Sequence, residues 1–199
     1  MKASRIGVFL VLAGVVAAVG LSRHPLETPR DTEVPACASR MQQAPFNGVG
    51  ADGVALQFIR LEQFPEQVLA GTGCWRLVNF WATWCEPCRE EMPALARFAD
   101  RFREQGLEVM TVNLEPPQTG EAAHRFLREY RVNAINVRLD IPDTRAIAEW
   151  LDDRWMGGVP FTAIIGPDGE WHFSHHGLFD AEAVEQALQY YLAAEGPET

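Results

Sequence analysis

An apolar run, Trp75-Arg76-Leu77-Val78-Asn79-Phe80-Trp81, leads through Ala82-Thr83-Trp84 into Cys85-Glu86-Pro87-Cys88-Arg89-Glu90-Glu91-Met92-Pro93. A buried strand that ends abruptly on a polar helix start leaves few folds open to the chain. Two cysteines three apart in the first helical turn can close a small disulfide and open it again. The first sulfur lies where unpaired main-chain N–H groups and the positive end of the helix dipole meet, which favours thiolate over thiol. Cys85 is therefore the expected nucleophile, and Cys88, one turn in, the expected resolving thiol.

A zinc knuckle would need two more ligands in similar spacing. No second Cys-x-x-Cys exists, and His175 and His176 are adjacent, which suits a shared tetrahedral site poorly. A purely structural bridge over so short a loop is strained and easily reduced. The residues thus point to a redox dithiol with no metal and no organic cofactor. A Cu(I) carrier using the two soft thiolates is the alternative from another class, although no Met-rich segment accompanies them.

Hydrophobic residues make up 47% of the 199 positions, enough for a proper core. Lys2 and Arg5 precede the first apolar segment, so from Arg23 onward 15 Lys plus Arg face 27 Asp plus Glu, a formal net charge of −12. Phosphate contacts need concentrated Lys and Arg, so a nucleic-acid partner is excluded. The basic head and the uncharged run 6–22 have the form of a signal anchor or signal peptide. Either form places the rest of the chain outside the cytoplasm, with 6–22 tethering it to the inner membrane if retained. Residues 23–53, rich in Pro, Thr, Ala, Gln and Gly, read as a linker or arm. The folded domain is expected over 54–195.

Within that domain the pattern predicts a first strand over 54–61 and a short helix over 62–69, interrupted by Pro65. A central strand follows over 75–81, then a long helix over 86–105 with a kink or break at Pro93. Further on come a strand over 107–114, a helix over 119–130 with Ala122, Phe126 and Leu127 inward, a strand over 137–139 and a helix over 143–151. A hairpin of 161–165 and 171–175 turns at Asp168-Gly169, and a last helix over 180–192 is capped by Asp180. Strands alternating with helices imply an α/β fold with a mostly parallel sheet, to which the hairpin adds antiparallel strands.

The lead-in 78–84, the Cys85-Glu86-Pro87-Cys88 centre, Glu91-Met92-Pro93, Gly157-Gly158-Val159-Pro160-Phe161-Thr162 and Pro167-Asp168-Gly169-Glu170 together resemble the TlpA/ResA-like thiol–disulfide oxidoreductases of the thioredoxin superfamily. The resemblance implies a thioredoxin-like sandwich, a central mixed sheet flanked by helices. The 72 positions from Cys88 to Pro160 leave room for a central insertion of the TlpA/ResA type. It further implies a cis Val159–Pro160 peptide that leaves the Val159 main chain free to pair with an extended partner segment. Partners by resemblance are disulfide-containing client proteins, such as apocytochromes c and copper-site proteins, and a membrane electron-donor protein that recharges the dithiol.

Glu86 places a carboxylate near the nucleophile and works against its thiolate, and Pro87 removes an N–H that could have donated to the sulfur. Both favour a reducing couple; a net oxidant or isomerase is the alternative within the same fold. The helix-dipole benefit of an acid at position 86 is compatible with this. Asn79 stands where thioredoxins carry a buried acid, and an amide cannot do that acid's work. Glu91, three residues beyond Cys88, resembles the family's substitute and is expected to act as base or proton relay for Cys88, the bland alternative being a surface glutamate like Glu90. Trp84 is expected beside Cys85, and Phe161 is expected to narrow the substrate groove; His175 and His176 receive no role. Cys74 opens the strand that leads to the site, roughly seven residues of about 3.3 Å away, so it cannot resolve a mixed disulfide. A structural Cys37–Cys74 bridge pinning the arm is expected, with free thiols or an intermolecular bridge through Cys37 as alternatives.

Overall fold

The computed structural model describes residues 37, 54–103, 105–116, 119–141, 144–151 and 154–194. The expected anchor (6–22) and almost all of the arm lie outside the described residues. Among the described residues, no helix is long and apolar enough to cross a membrane.

Six strands form one sheet in the order β1-β4-β3-β2-β5-β6. They are β1 (Gln57–Arg60), β2 (Arg76–Trp81), β3 (Glu108–Asn113), β4 (Ile135–Asp140), β5 (Phe161–Ile165) and β6 (Trp171–His176). The β1–β4, β4–β3 and β3–β2 pairs are parallel, whereas β5 runs antiparallel to both β2 and β6. The C-terminal ends of β2, β3, β4 and β6 and the N-terminal end of β5 therefore share one edge, where the dithiol stands.

The helices are α1 (Glu86–Arg103), α2 (Gly120–Glu129), α3 (Ala148–Leu151) and α4 (Ala181–Ala194). Between β1 and β2 the chain makes two short helical turns, Leu61–Gln63 and Pro65–Leu69, the second with Pro65 at its start, where a missing N–H costs nothing. A tight turn, Thr144–Ile147, runs directly into α3. The first strand is shorter than expected, and the helix over 143–151 is a tight turn followed by one α-turn. Helix α1 continues through Pro93 without a break. In α2 it is Ala123, not Ala122, that is buried with Phe126 and Leu127.

The two faces of the sheet bury separate apolar clusters, because successive side chains of a strand point to opposite sides. Leu77 and Trp81 of β2 pack with Met92, Leu95 and Phe98 of α1, Leu127 of α2 and Leu188 of α4. Val78 and Phe80 pack on the other face with Phe64, Met110, Val137, Ile147 and Leu151. Asn79, between Leu77 and Trp81, consequently points to the α1 side. In α1 the buried positions Cys88, Glu91, Met92, Leu95, Phe98, Ala99 and Phe102 follow helical spacing. That stripe is apolar except at the position facing Asn79. Asp180 caps α4, its Oδ1 accepting the N–H groups of Glu182 (3.1 Å) and Ala183 (3.0 Å).

Phe161 departs from expectation. It is fully buried, with its ring 5.7 Å from that of Phe80 and 4.6 Å from that of His176, so it fills the core beneath the site instead of lining a groove. The period of β5 decides this: Phe161 pairs with Phe80 and shares its face.

Candidate active site

Cys85 and Cys88 are joined in a disulfide with Cα atoms 5.3 Å apart. Cys85 N–H bonds back to the Ala82 carbonyl (3.2 Å), closing the turn that leaves β2, and Arg89 N–H bonds to the Cys85 carbonyl as the helix begins. Cys88 N–H donates to Cys85 Sγ at 3.2 Å. The helix start thus supplies the Cys85 sulfur with a donor, while Pro87 has none to add. Cys88 is fully buried and Cys85 nearly so, whereas Glu86 and Pro87 are exposed.

The Val159–Pro160 peptide is cis, and the Val159 carbonyl oxygen lies 3.5 Å from Cys85 Sγ. The loop before it is shaped by Trp155, whose indole N–H donates to the Gly158 carbonyl at 2.7 Å, and by Gly157, whose φ of +84° suits glycine. Trp84 is 63% exposed on the β2–α1 loop, Met156 80% exposed before the cis peptide, and Leu178 49% exposed on the β6–α4 loop. Three apolar side chains from three loops therefore rim the edge that carries the dithiol.

Glu91 is 3% exposed, unlike Glu90 on the same helix. Its Oε1 accepts from Asn79 Nδ2 (2.8 Å) and its Oε2 from the main-chain N–H of Phe179 (2.6 Å). Burial pushes the Glu91 carboxyl up from an ordinary 4.5 to about 7, against the pull of these two hydrogen bonds, which favour the ionised form. Its spacing on α1 places it one turn from Cys88 on the same buried stripe. A carboxyl that titrates near neutrality beside a buried thiol can accept and return that thiol's proton.

Sequence reasoning missed a second buried acid at the dithiol end of the sheet. Glu115, just beyond β3, is almost fully buried and accepts hydrogen bonds from the Thr83 hydroxyl and from Asn113 Nδ2 (2.9 Å). It ties the loop carrying Trp84 and Cys85 to the neighbouring strand end. Its only sequence signal was an acid closing an apolar strand, which is ordinary at a strand end. The two histidines given no role both bond to carbonyls: His175 Nε2 lies 3.1 Å from Leu178 O, and His176 Nε2 lies 2.8 Å from Arg154 O.

Cys37 and Cys74 are bridged, with Cα atoms 5.7 Å apart. Cys74 precedes β2 at the end of the sheet away from the dithiol, as strand length requires. Beside it Arg76 and Glu108, paired across β2 and β3, form a buried salt bridge of 2.7 Å. Among the described residues, no group of three or more His, Cys, Asp or Glu side chains stands together as a metal site.

The model of the AhpC/TSA family matches residues 51–172. The ResA thiol–disulfide oxidoreductase of Oceanobacillus iheyensis is 31% identical over 145 residues, 68% of this chain and 70% of that protein. The ResA protein of Bacillus subtilis is 37% identical over 93 residues, which span 47% of this chain and about half (48%) of that relative's length. In fold, the chain matches the structure of a DsbF homologue from Corynebacterium diphtheriae with a TM-score of 0.52 at 16% identity, covering 60% of this chain and 73% of that one. The sheet order, the dithiol at a helix start and these likenesses agree: the chain belongs to the AhpC/TSA family, among the ResA-like thiol–disulfide oxidoreductases of thioredoxin-like fold.

Proposed function

We propose that the protein is an extracytoplasmic reductase of protein disulfides, with Cys85 as nucleophile, Cys88 as resolving thiol and Glu91 as proton relay. The observation that carries this reading is Glu91, buried on the Cys88 stripe of α1 and held by two N–H donors with its carboxyl near neutrality. In the reduced form, the Cys85 thiolate attacks one sulfur of a client disulfide, and the other client sulfur leaves as a thiolate that takes a proton from water. Glu91 then accepts the Cys88 proton, and the Cys88 thiolate attacks Cys85 Sγ. The second client sulfur departs, so that two electrons have passed from the dithiol to the client.

The client segment would lie extended against Val159, whose carbonyl is already within reach of Cys85 Sγ, with Trp84, Glu86 and Pro87 along the approach and Pro160 shaping the loop. The reducing direction is supported by an acidic residue and a proline between the cysteines, and by a helix start that offers the Cys88 N–H but none from residue 87. Location outside the cytoplasm is supported by the basic head and apolar run ahead of the domain and by the second, Cys37–Cys74 bridge. A tether through 6–22, a membrane electron donor, and clients in cytochrome c or copper-site maturation complete the proposal.

The reduction potential of the Cys85–Cys88 couple, measured in thiol buffers by tryptophan fluorescence, tests the direction. A value of about −270 to −220 mV supports a reductase, and one near −120 mV makes the protein a disulfide donor.

A further inference from the structure

One buried polar atom beside the dithiol has no partner among the described residues. Asn79 is fully buried, and its Nδ2 donates to both Glu91 Oε1 (2.8 Å) and Thr162 Oγ1 (3.1 Å), yet its Oδ1 accepts no hydrogen bond from the described residues. An unpaired buried carbonyl costs free energy, so the amide's orientation must be set by what its other end does. Turning it over would take Nδ2 away from both of its acceptors. The side chain is therefore oriented by Glu91 Oε1 and Thr162 Oγ1, which share its N–H donors.

The backbone around Asn79 holds it in place. In strand register, Asn136, Thr111, Asn79, Thr162 and His175 form one row across β4, β3, β2, β5 and β6, on the face that α1 covers. The first four are buried, and Thr111 Oγ1 bonds Asn136 Oδ1 at 2.8 Å. A polar row through an otherwise apolar face is a costly feature, and Glu91 is the α1 side chain that meets it at its centre.

We propose that Asn79 is a positioning residue of the exchange reaction: its amide holds the Glu91 carboxylate ionised and aimed, so that it can take the Cys88 proton. The inference rests on the reading of Glu91 as relay. Burial alone drives a carboxyl toward the neutral acid, which cannot accept a proton. Of the two donors opposing this, the Phe179 N–H belongs to the main chain, whereas the Asn79 amide is a side-chain choice. The groups near Glu91 are neutral Asn79 from β2, neutral Thr162 beyond it on β5, the Phe179 amide from the β6–α4 loop and Cys88 on its own helix. His175, at the β6 end of the row, is the one further titratable group in that register, and its Nε2 is engaged with Leu178 O. The buried acid stands on the helix, and the strand supplies its hydrogen-bond donor.

The test is a carboxyl ¹³C NMR titration of Glu91 in the full chain, oxidised, with the resonance assigned by its loss in Glu91→Gln. It is run beside the pH profile of disulfide reduction. Two variants are compared, Asn79→Leu and, should that fold poorly, Asn79→Ser, whose hydroxyl is too short to reach Glu91. The expected result is an upward shift of the Glu91 midpoint by about one pH unit, a matching shift of the acid limb of the rate, and convergence with the parent rate at high pH. A residue that merely packs the sheet would lower the melting temperature and leave the midpoint where it is; that outcome overturns the inference. A flat profile difference for Glu91→Gln would instead remove the relay reading itself, so the two failures are read separately.

Discussion

The main-chain N–H of Phe179 donates to Glu91 Oε2 at 2.6 Å across 88 positions of sequence. The bond joins the helix that carries the dithiol to the β6–α4 loop that carries Leu178, so the buried Glu91 carboxyl and one part of the rim share a fixed point.

Glu91 makes stability depend on pH in a stated direction. Its folded carboxyl titrates near 7 and its ordinary value is 4.5, so between these the folded chain holds a proton that the unfolded chain has lost. The group's contribution is most favourable below the lower value, falls as pH rises, and levels off above about 7, a cost of about 3 kcal/mol. Glu91→Gln removes the charge but leaves one N–H donor without an acceptor. It is expected to raise unfolding free energy by about 1–3 kcal/mol at pH 8 and to change little at pH 4, measured by denaturant melts. The same variant should slow disulfide reduction at pH 7 by on the order of 10²-fold and flatten its acid limb.

Cys88→Ser should trap the reaction halfway. Without a resolving thiolate, Cys85 retains the client in a mixed disulfide, visible by mass spectrometry of the non-reduced complex, and turnover stops. Cys85→Ser should give no adduct, because Cys88 is fully buried.

Thr83→Val separates loop positioning from thiol chemistry. It removes the hydroxyl that Glu115 accepts and leaves that buried carboxylate with the Asn113 amide alone. A loss of about 1–3 kcal/mol is expected in a denaturant melt. The value of kcat/KM should fall with it, while the pH midpoint set by Glu91 stays in place.

The Cys37–Cys74 bridge closes a separation of 37 residues. Replacing both cysteines by serine should lower stability by about 4 kcal/mol on loop-closure grounds and leave the potential of the Cys85–Cys88 couple unchanged, since the bridge lies at the other end of the sheet. A shift in that potential would show the two disulfides to be linked.

What the sequence determined by itself was local. The apolar run 75–81 meeting Cys-Glu-Pro-Cys defined a strand, a helix start and the dithiol at it, because burial period and N-terminal N–H groups act within a few residues. The same period, carried back along α1 from Leu95, Phe98 and Phe102, reaches both Cys88 and Glu91. Only the tertiary structure decided what depends on strand register and loop return. The pairing of β5 with β2 put Phe161 in the core and not in a groove, and placed Thr162 beside Asn79. The β6–α4 loop brought the Phe179 amide to Glu91, and β3 ended so that Glu115 could hold Thr83. Hydrogen bonds between groups 32 to 88 positions apart leave no periodic trace in a chain, since the order of strands in the sheet creates them and no local propensity encodes it.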